Sequence, residues 1–211
     1  MGHKRKWCHA RVISVLFLKA DIRQRGLHVR LVPEADIVID YLSSQVERLA
    51  NWLMSHVLVR GRDFDGALAA ADRAVALAPY DTFMLSSLMM VLVQAGRSDQ
   101  ALRWADQVAA RDPALGWFYN HRRGWAYLVQ GRFGEAVNAL SQTEFNDSHL
   151  LLAIAHERLG HSVDALQEVG KMMRINPNIR LKAWRLGYCF RDPATLEGYS
   201  LDLLQAGLPA S

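Results

Sequence analysis

Landmark residues recur in this chain every 34 or 35 positions, and that period restricts its fold more than any other feature. Pro79 and Pro113 lie 34 residues apart, as do Ala67 and Ala101. Gly96 and Gly131 are separated by 35, as are Ala101 and Ala136; Gly160 and Ala165 repeat the Gly-x4-Ala offset of Gly96–Ala101 and Gly131–Ala136. Self-similarity at a few tens of residues marks supersecondary units that stack on their neighbours, since one such unit cannot bury its apolar face alone.

Each unit reads as two helices. In unit two, apolar residues fall at helical spacing over 81–94 (Leu85, Leu88, Leu92) and again over 98–111 (Ala101, Ala105, Val108). Gly96 stands where the chain must reverse, because glycine accepts the left-handed conformation that closes a helix. Pro113 follows a helix it cannot continue. Small residues such as Ala101 let the paired helices approach, and a larger side chain there would overpack by about 1–3 kcal/mol. Unit one covers about 45–79, with Ser55, Ala67 and Ala74 in small positions. Unit three covers about 115–143, with Gly124, Tyr127, Gly131, Phe133 and Ala136; unit four covers about 147–177, with Ala153, Gly160, Ala165 and Pro177. Ala136 and Ala165 are only 29 apart, so the second helix of unit three is expected to be short, with the break at Asn146 and Asp147.

These residues resemble the tetratricopeptide repeat family over 45–177, most closely in the Gly-Trp-Ala-Tyr-Leu-Val-Gln-Gly-Arg-Phe-Gly-Glu-Ala run from Gly124 to Ala136. Met89 in a small position and Ser162 in an aromatic one depart from the pattern. The resemblance implies an all-α, α-α superhelical solenoid of about four helix-turn-helix repeats. Its expected function is non-catalytic protein–protein interaction, with a partner peptide or helix held in a concave groove lined by the first helix of each repeat. Transferred by register, the groove positions are Trp52, His56 and Arg60, then Ser86, Met90 and Gln94, then His121, Arg122 and Trp125, then Ile154, Glu157 and Arg158. Trp and Arg are the types most often found as binding hot spots, although Trp52 and Trp125 fit core packing equally well and the arginines fit a solvated surface.

Both ends differ from the repeats. Ile37, Tyr41, Val46 and the run 49–57 predict a helix that begins after Pro33 and leads into unit one. Residues 178–191 carry no repeat pattern; Asp192 as N-cap and Pro193 in the first turn then start a helix. Its apolar stripe is Leu196, Tyr199, Leu203 and Leu204, with Gly207 and Pro209 closing it, and it is expected to cap the stack. The expected division is therefore 1–33, a basic segment; 34–177, the repeats; and 178–211, a linker and capping helix. The Pro-Asn-Ile-Arg-Leu, Phe-Arg-Asp-Pro-Ala-Thr-Leu-Glu and Leu-Leu-Gln-Ala-Gly-Leu-Pro segments resemble the C-terminal repeat region of bacterial class III adenylate or guanylate cyclases, and similar regions occur in some bacterial transcription regulators. That resemblance implies an alternative role in signalling as a regulatory module. Asp21-Ile22 only faintly echoes a cyclase metal-binding strand.

The charge is unevenly placed. Of a net +4, residues 1–31 supply +7 through eight basic side chains against Asp21 alone, leaving the rest at −3. Such a tail suits a solvated flank better than nucleic-acid binding. Cys8 and Cys189 form no disulfide framework, which points to a cytoplasmic setting, and the apolar run 12–18 is too short to span a bilayer. His149, His156 and His161 lack the i,i+4 spacing of a zinc helix, and His156 falls at a packing position. His3, Cys8 and His9 stand in the basic flank without further ligands. Glu135 and Asp164 are expected as exposed turn residues. With no nucleophile elbow and no phosphate loop, neither enzymatic activity nor a metal or cofactor is expected.

Overall fold

A computed structural model of the protein describes residues 34–211. The expectations placed on the basic segment, on His3, Cys8 and His9 and on Asp21-Ile22 lie outside the described residues. Contacts divide the chain after Gln45. In the first unit the described residues open helix α1 (Glu34–Arg60), where the Ser44 hydroxyl donates to the Tyr41 carbonyl at 2.8 Å.

The second unit, Val46–Ser211, holds the repeats, and no described residue is in a strand. Unit one pairs the end of α1 with α2 (Phe64–Leu77). Unit two pairs α3 (Thr82–Gln94) with α4 (Ser98–Arg111). A 3-10 turn at Pro113–Leu115 leads into unit three, α5 (Gly116–Val129) and the eight-residue α6 (Phe133–Leu140), as short as the contracted spacing requires. Unit four is α7 (Ser148–Arg158) and α8 (Ser162–Ile175). The C-terminal segment adds α9 (Leu181–Arg185) and α10 (Pro193–Gln205).

Local chemistry explains these boundaries. The carboxylates of Asp63, Asp81 and Asp192 accept from the backbone N–H groups of Gly66, Met84 and Ala194, satisfying donors that helix starts leave open. Gly96, Gly131 and Gly160 each turn the chain between paired helices with φ of +82°, +72° and +77°. In unit one Arg62 occupies the equivalent place, with φ +64°. A left-handed arginine costs about 1–2 kcal/mol and must be held from outside the turn.

The alanines pack as their spacing requires. Ala67, Ala74, Ala101, Ala105, Ala136, Ala153 and Ala165 are all fully buried where helices cross. Helix α3 is enclosed on nearly every side, with Leu85, Leu88, Met89, Val91 and Leu92 all buried. By contrast, α1 shows Val46, Leu49, Leu53 and Val57 to solvent.

Candidate functional site

The residues transferred as groove positions do lie on the first helices of the repeats, but the C-terminal segment returns across that face and divides it in two. Arg191 docks where α3 ends. Its backbone N–H donates to the Gln94 carbonyl at 2.7 Å and its Nε to the Ala95 carbonyl at 3.1 Å, so it occupies carbonyls a helix end leaves open. Its guanidinium also reaches Asp65 at 2.6 Å and lies over the Phe64 ring. Arg62 reaches the same segment, donating to the Phe190 carbonyl at 3.3 Å, and this contact supplies the outside support its backbone needs. At the far end, α10 packs on α7, where Arg158 Nε donates to Asp202 at 2.7 Å.

Between these anchors Trp125 is fully enclosed. Tyr188 lies 4.6 Å from it, ring centre to ring centre, with Phe190 at 5.6 Å, Tyr199 at 6.2 Å and Trp184 at 6.4 Å. Trp125 is thus a core residue and not a surface for a partner, because the chain's own aromatics cover it. The same correction applies to Ile154, fully buried, and to Ser86, whose hydroxyl donates to the Thr82 carbonyl inside α3. Arg158 is exposed but already paired to Asp202, and half-buried Glu157 accepts from the Ser162 hydroxyl at 3.1 Å. In α10, Leu204 faces solvent, while Asp202 and Leu203, and Ala206 just after the helix, are buried.

Five other transferred positions converge. His56, Arg60, Met90, Gln94 and Arg122, with Val59, line a cavity of about 310 Å³ whose remaining wall is Gly187 and Tyr188 of the C-terminal segment. Trp52 stands beside it. Its indole N–H donates to Ser87 Oγ at 3.1 Å, and His56 Nε2 hydrogen-bonds the same hydroxyl at 3.0 Å. Burial, helped by the charges of Arg122 and Arg60, holds the His56 pKa down to about 4, so that its ring is neutral at physiological pH.

A half-buried polar network adjoins the cavity. Asp147 accepts from Tyr188 Oη at 3.0 Å and from His121 Nε2 at 3.1 Å, while Arg122 donates to His121 Nδ1 at 3.3 Å. These partners fix His121 as a neutral ring protonated on Nε2, and burial keeps its pKa below the ordinary histidine value despite Asp147. Burial pushes the Asp147 carboxyl up, yet the hydrogen bonds from His121 and Tyr188 and the charge of Arg122 outweigh it and leave the pKa below the usual carboxylate range. Tyr188 is raised by burial and then by Asp147, so its hydroxyl stays protonated. The Arg122 guanidinium stacks over Phe118 at 5.0 Å, and its Nε is buried with no hydrogen-bond partner. Among the described residues no carboxylate lies within ion-pair distance of Arg60 or Arg122.

Sequence reasoning missed Arg62, Asp147, Tyr188, Phe190 and Arg191. The one available signal was Tyr188-Cys189-Phe190-Arg191, a dense aromatic run in a stretch without repeat pattern.

The comparisons agree with this architecture. A tetratricopeptide repeat family model matches residues 85–107, spanning the turn between α3 and α4. Among solved structures the chain is similar to PilW, a widely conserved type IV pilus biogenesis factor, with a TM-score of 0.59 at 19% identity over 82% of this chain and 81% of that one. It is also similar to two structures of MamA, with TM-scores of 0.51 and 0.50 at 17% identity, over 75% and 72% of this chain and 91% and 92% of theirs. No curated protein sequence gives a match. The chain therefore has the tetratricopeptide-type helical repeat fold, an architecture suited to binding proteins.

Proposed function

We propose that the protein is a non-catalytic interaction module whose binding site is the open part of the concave face, and that it takes an acidic side chain of a partner peptide or helix. The observation that carries this reading is the cavity bounded by Arg60 and Arg122, two guanidiniums with no carboxylate within ion-pair distance among the described residues, set among apolar and neutral walls. Of the twelve transferred positions, His56, Arg60, Met90, Gln94 and Arg122 line this cavity. An anion entering the cavity gains charge-assisted hydrogen bonds in a partly dried site, where they are worth more than in water. The free thiol of Cys189 goes with a reducing, cytoplasmic setting.

The alternative, a regulatory module in signalling, rests on the C-terminal segment, which here packs on the repeats through Arg191 and α10. A displayed peptide library selected on the full chain tests the proposal. Acidic peptides should be enriched, their affinity should fall with rising salt, and Arg60→Glu should weaken them by about tenfold or more. Selected peptides without acidic bias, or equal binding by Arg60→Glu, would overturn it.

A further inference from the structure

The turn between α7 and α8 assembles a second site, away from the cavity. His156 lies in the last turn of α7, His161 directly precedes α8, and Asp164 is in the first turn of α8. Gly160, with its positive φ, folds the chain so that the His161 N–H donates to the His156 carbonyl at 2.8 Å, which locks the two histidines to one another. One ligand atom from each of the three side chains lies within 4.8 Å of the others. His156 is half-buried, and its Nδ1 is enclosed without a hydrogen-bond partner; His161 and Asp164 are open to solvent.

Unit three shows what these positions otherwise do. Counted from the turn glycine, His156, His161 and Asp164 correspond to Tyr127, Arg132 and Glu135 around Gly131. The backbone bond is the same, from the Arg132 N–H to the Tyr127 carbonyl at 2.9 Å. There the turn supplies its own cation: the Arg132 guanidinium lies 4.5 Å from the Tyr127 ring centre and pairs with the Glu135 carboxylate. In unit four the arginine is replaced by histidine, Asp164 has no ion-pair partner among the described residues, and both ring positions offer nitrogen lone pairs.

We propose that His156, His161 and Asp164 bind a borderline divalent transition-metal ion of the zinc class, which supplies the positive charge that Arg132 supplies in unit three. Two imidazoles and one carboxylate suit zinc and leave a fourth position to water, whereas magnesium or calcium would want oxygen ligands throughout. Bound donors sit about 3.3 Å apart at tetrahedral zinc, so the side chains close up by about 1–1.5 Å, within the reach of rotamer adjustment at two exposed residues. The negative end of α7 and the positive end of α8 meet here and largely cancel, so helix dipoles do not decide the matter.

Zinc titration of the full chain by calorimetry, with cobalt as a visible-absorption probe, tests the site. One zinc should bind per chain at this turn, and the cobalt complex should show the intense absorption of tetrahedral coordination. His161→Ala and Asp164→Asn, both at exposed positions, should each weaken binding by roughly tenfold or more, whereas His149→Ala should not. Zinc should raise the melting temperature of the parent and not that of His161→Ala. Absence of binding, or binding unchanged in both His161→Ala and Asp164→Asn with circular dichroism showing folded protein, would overturn the proposal and assign any bound zinc elsewhere, such as to His3, Cys8 and His9.

Discussion

The two halves of the face formed by the first helices are built from the same kind of helix and have opposite fates. Toward unit four the chain's own aromatics fill the groove, and Trp125 and Ile154 have become core. Toward unit one the groove stays open, and His56, Arg60 and Arg122 meet solvent across a cavity. The difference lies in what the C-terminal segment brings to each half. Opposite Trp125 it presents Trp184, Tyr188, Phe190 and Tyr199; at the cavity it presents only Gly187 and one side of Tyr188. A register position in a helical repeat is therefore neither binding nor structural until its opposite wall is known.

If the closed half is core, its largest side chain should behave as core. Trp125→Ala should cost about 3–5 kcal/mol in urea unfolding; a loss below about 1 kcal/mol would mean that the aromatic segment does not cover it. The junction between the halves should matter less. Tyr188→Phe removes one hydrogen bond to the Asp147 carboxylate and should cost about 1–2 kcal/mol, with the fold retained.

The smallest effect belongs to the open half and is read through pH. His56 titrates at about 4 in the folded chain against about 6.5 unfolded, so the unfolded state takes up its proton first as the pH falls. Its contribution to stability is complete above pH ~6.5 and is lost as the pH drops through about 4. His56→Gln should flatten part of the decline in urea midpoint over that window. An identical slope in the variant would show that His56 is not desolvated, and that the cavity is wetter than its geometry indicates.

Much of the repeat body was legible in the residues. The turns at Gly96, Gly131 and Gly160, the capping carboxylate Asp192 and the shortened second helix of unit three all depend on neighbours a few positions away. Local rules are sufficient for such features. The histidine turn was less legible. Spacings of seven and five from His149 through His156 to His161 carry no helical ligand signature, yet the left-handed Gly160 brings His156 and His161 onto one corner and adds Asp164, a residue expected only to be exposed.

By itself the sequence determined the class of fold, because alanine, glycine and proline at a fixed period leave paired helices little choice but to nest. Only the tertiary structure decided which part of the face formed by the first helices stays open. Arg62 meets Phe190 and Gln94 meets Arg191 across separations of 128 and about a hundred residues, and the segment that makes these contacts has no periodicity to fix its register. Its place is set by burying aromatic surface and satisfying the carbonyls at the end of α3, and both become available only once the repeats have stacked.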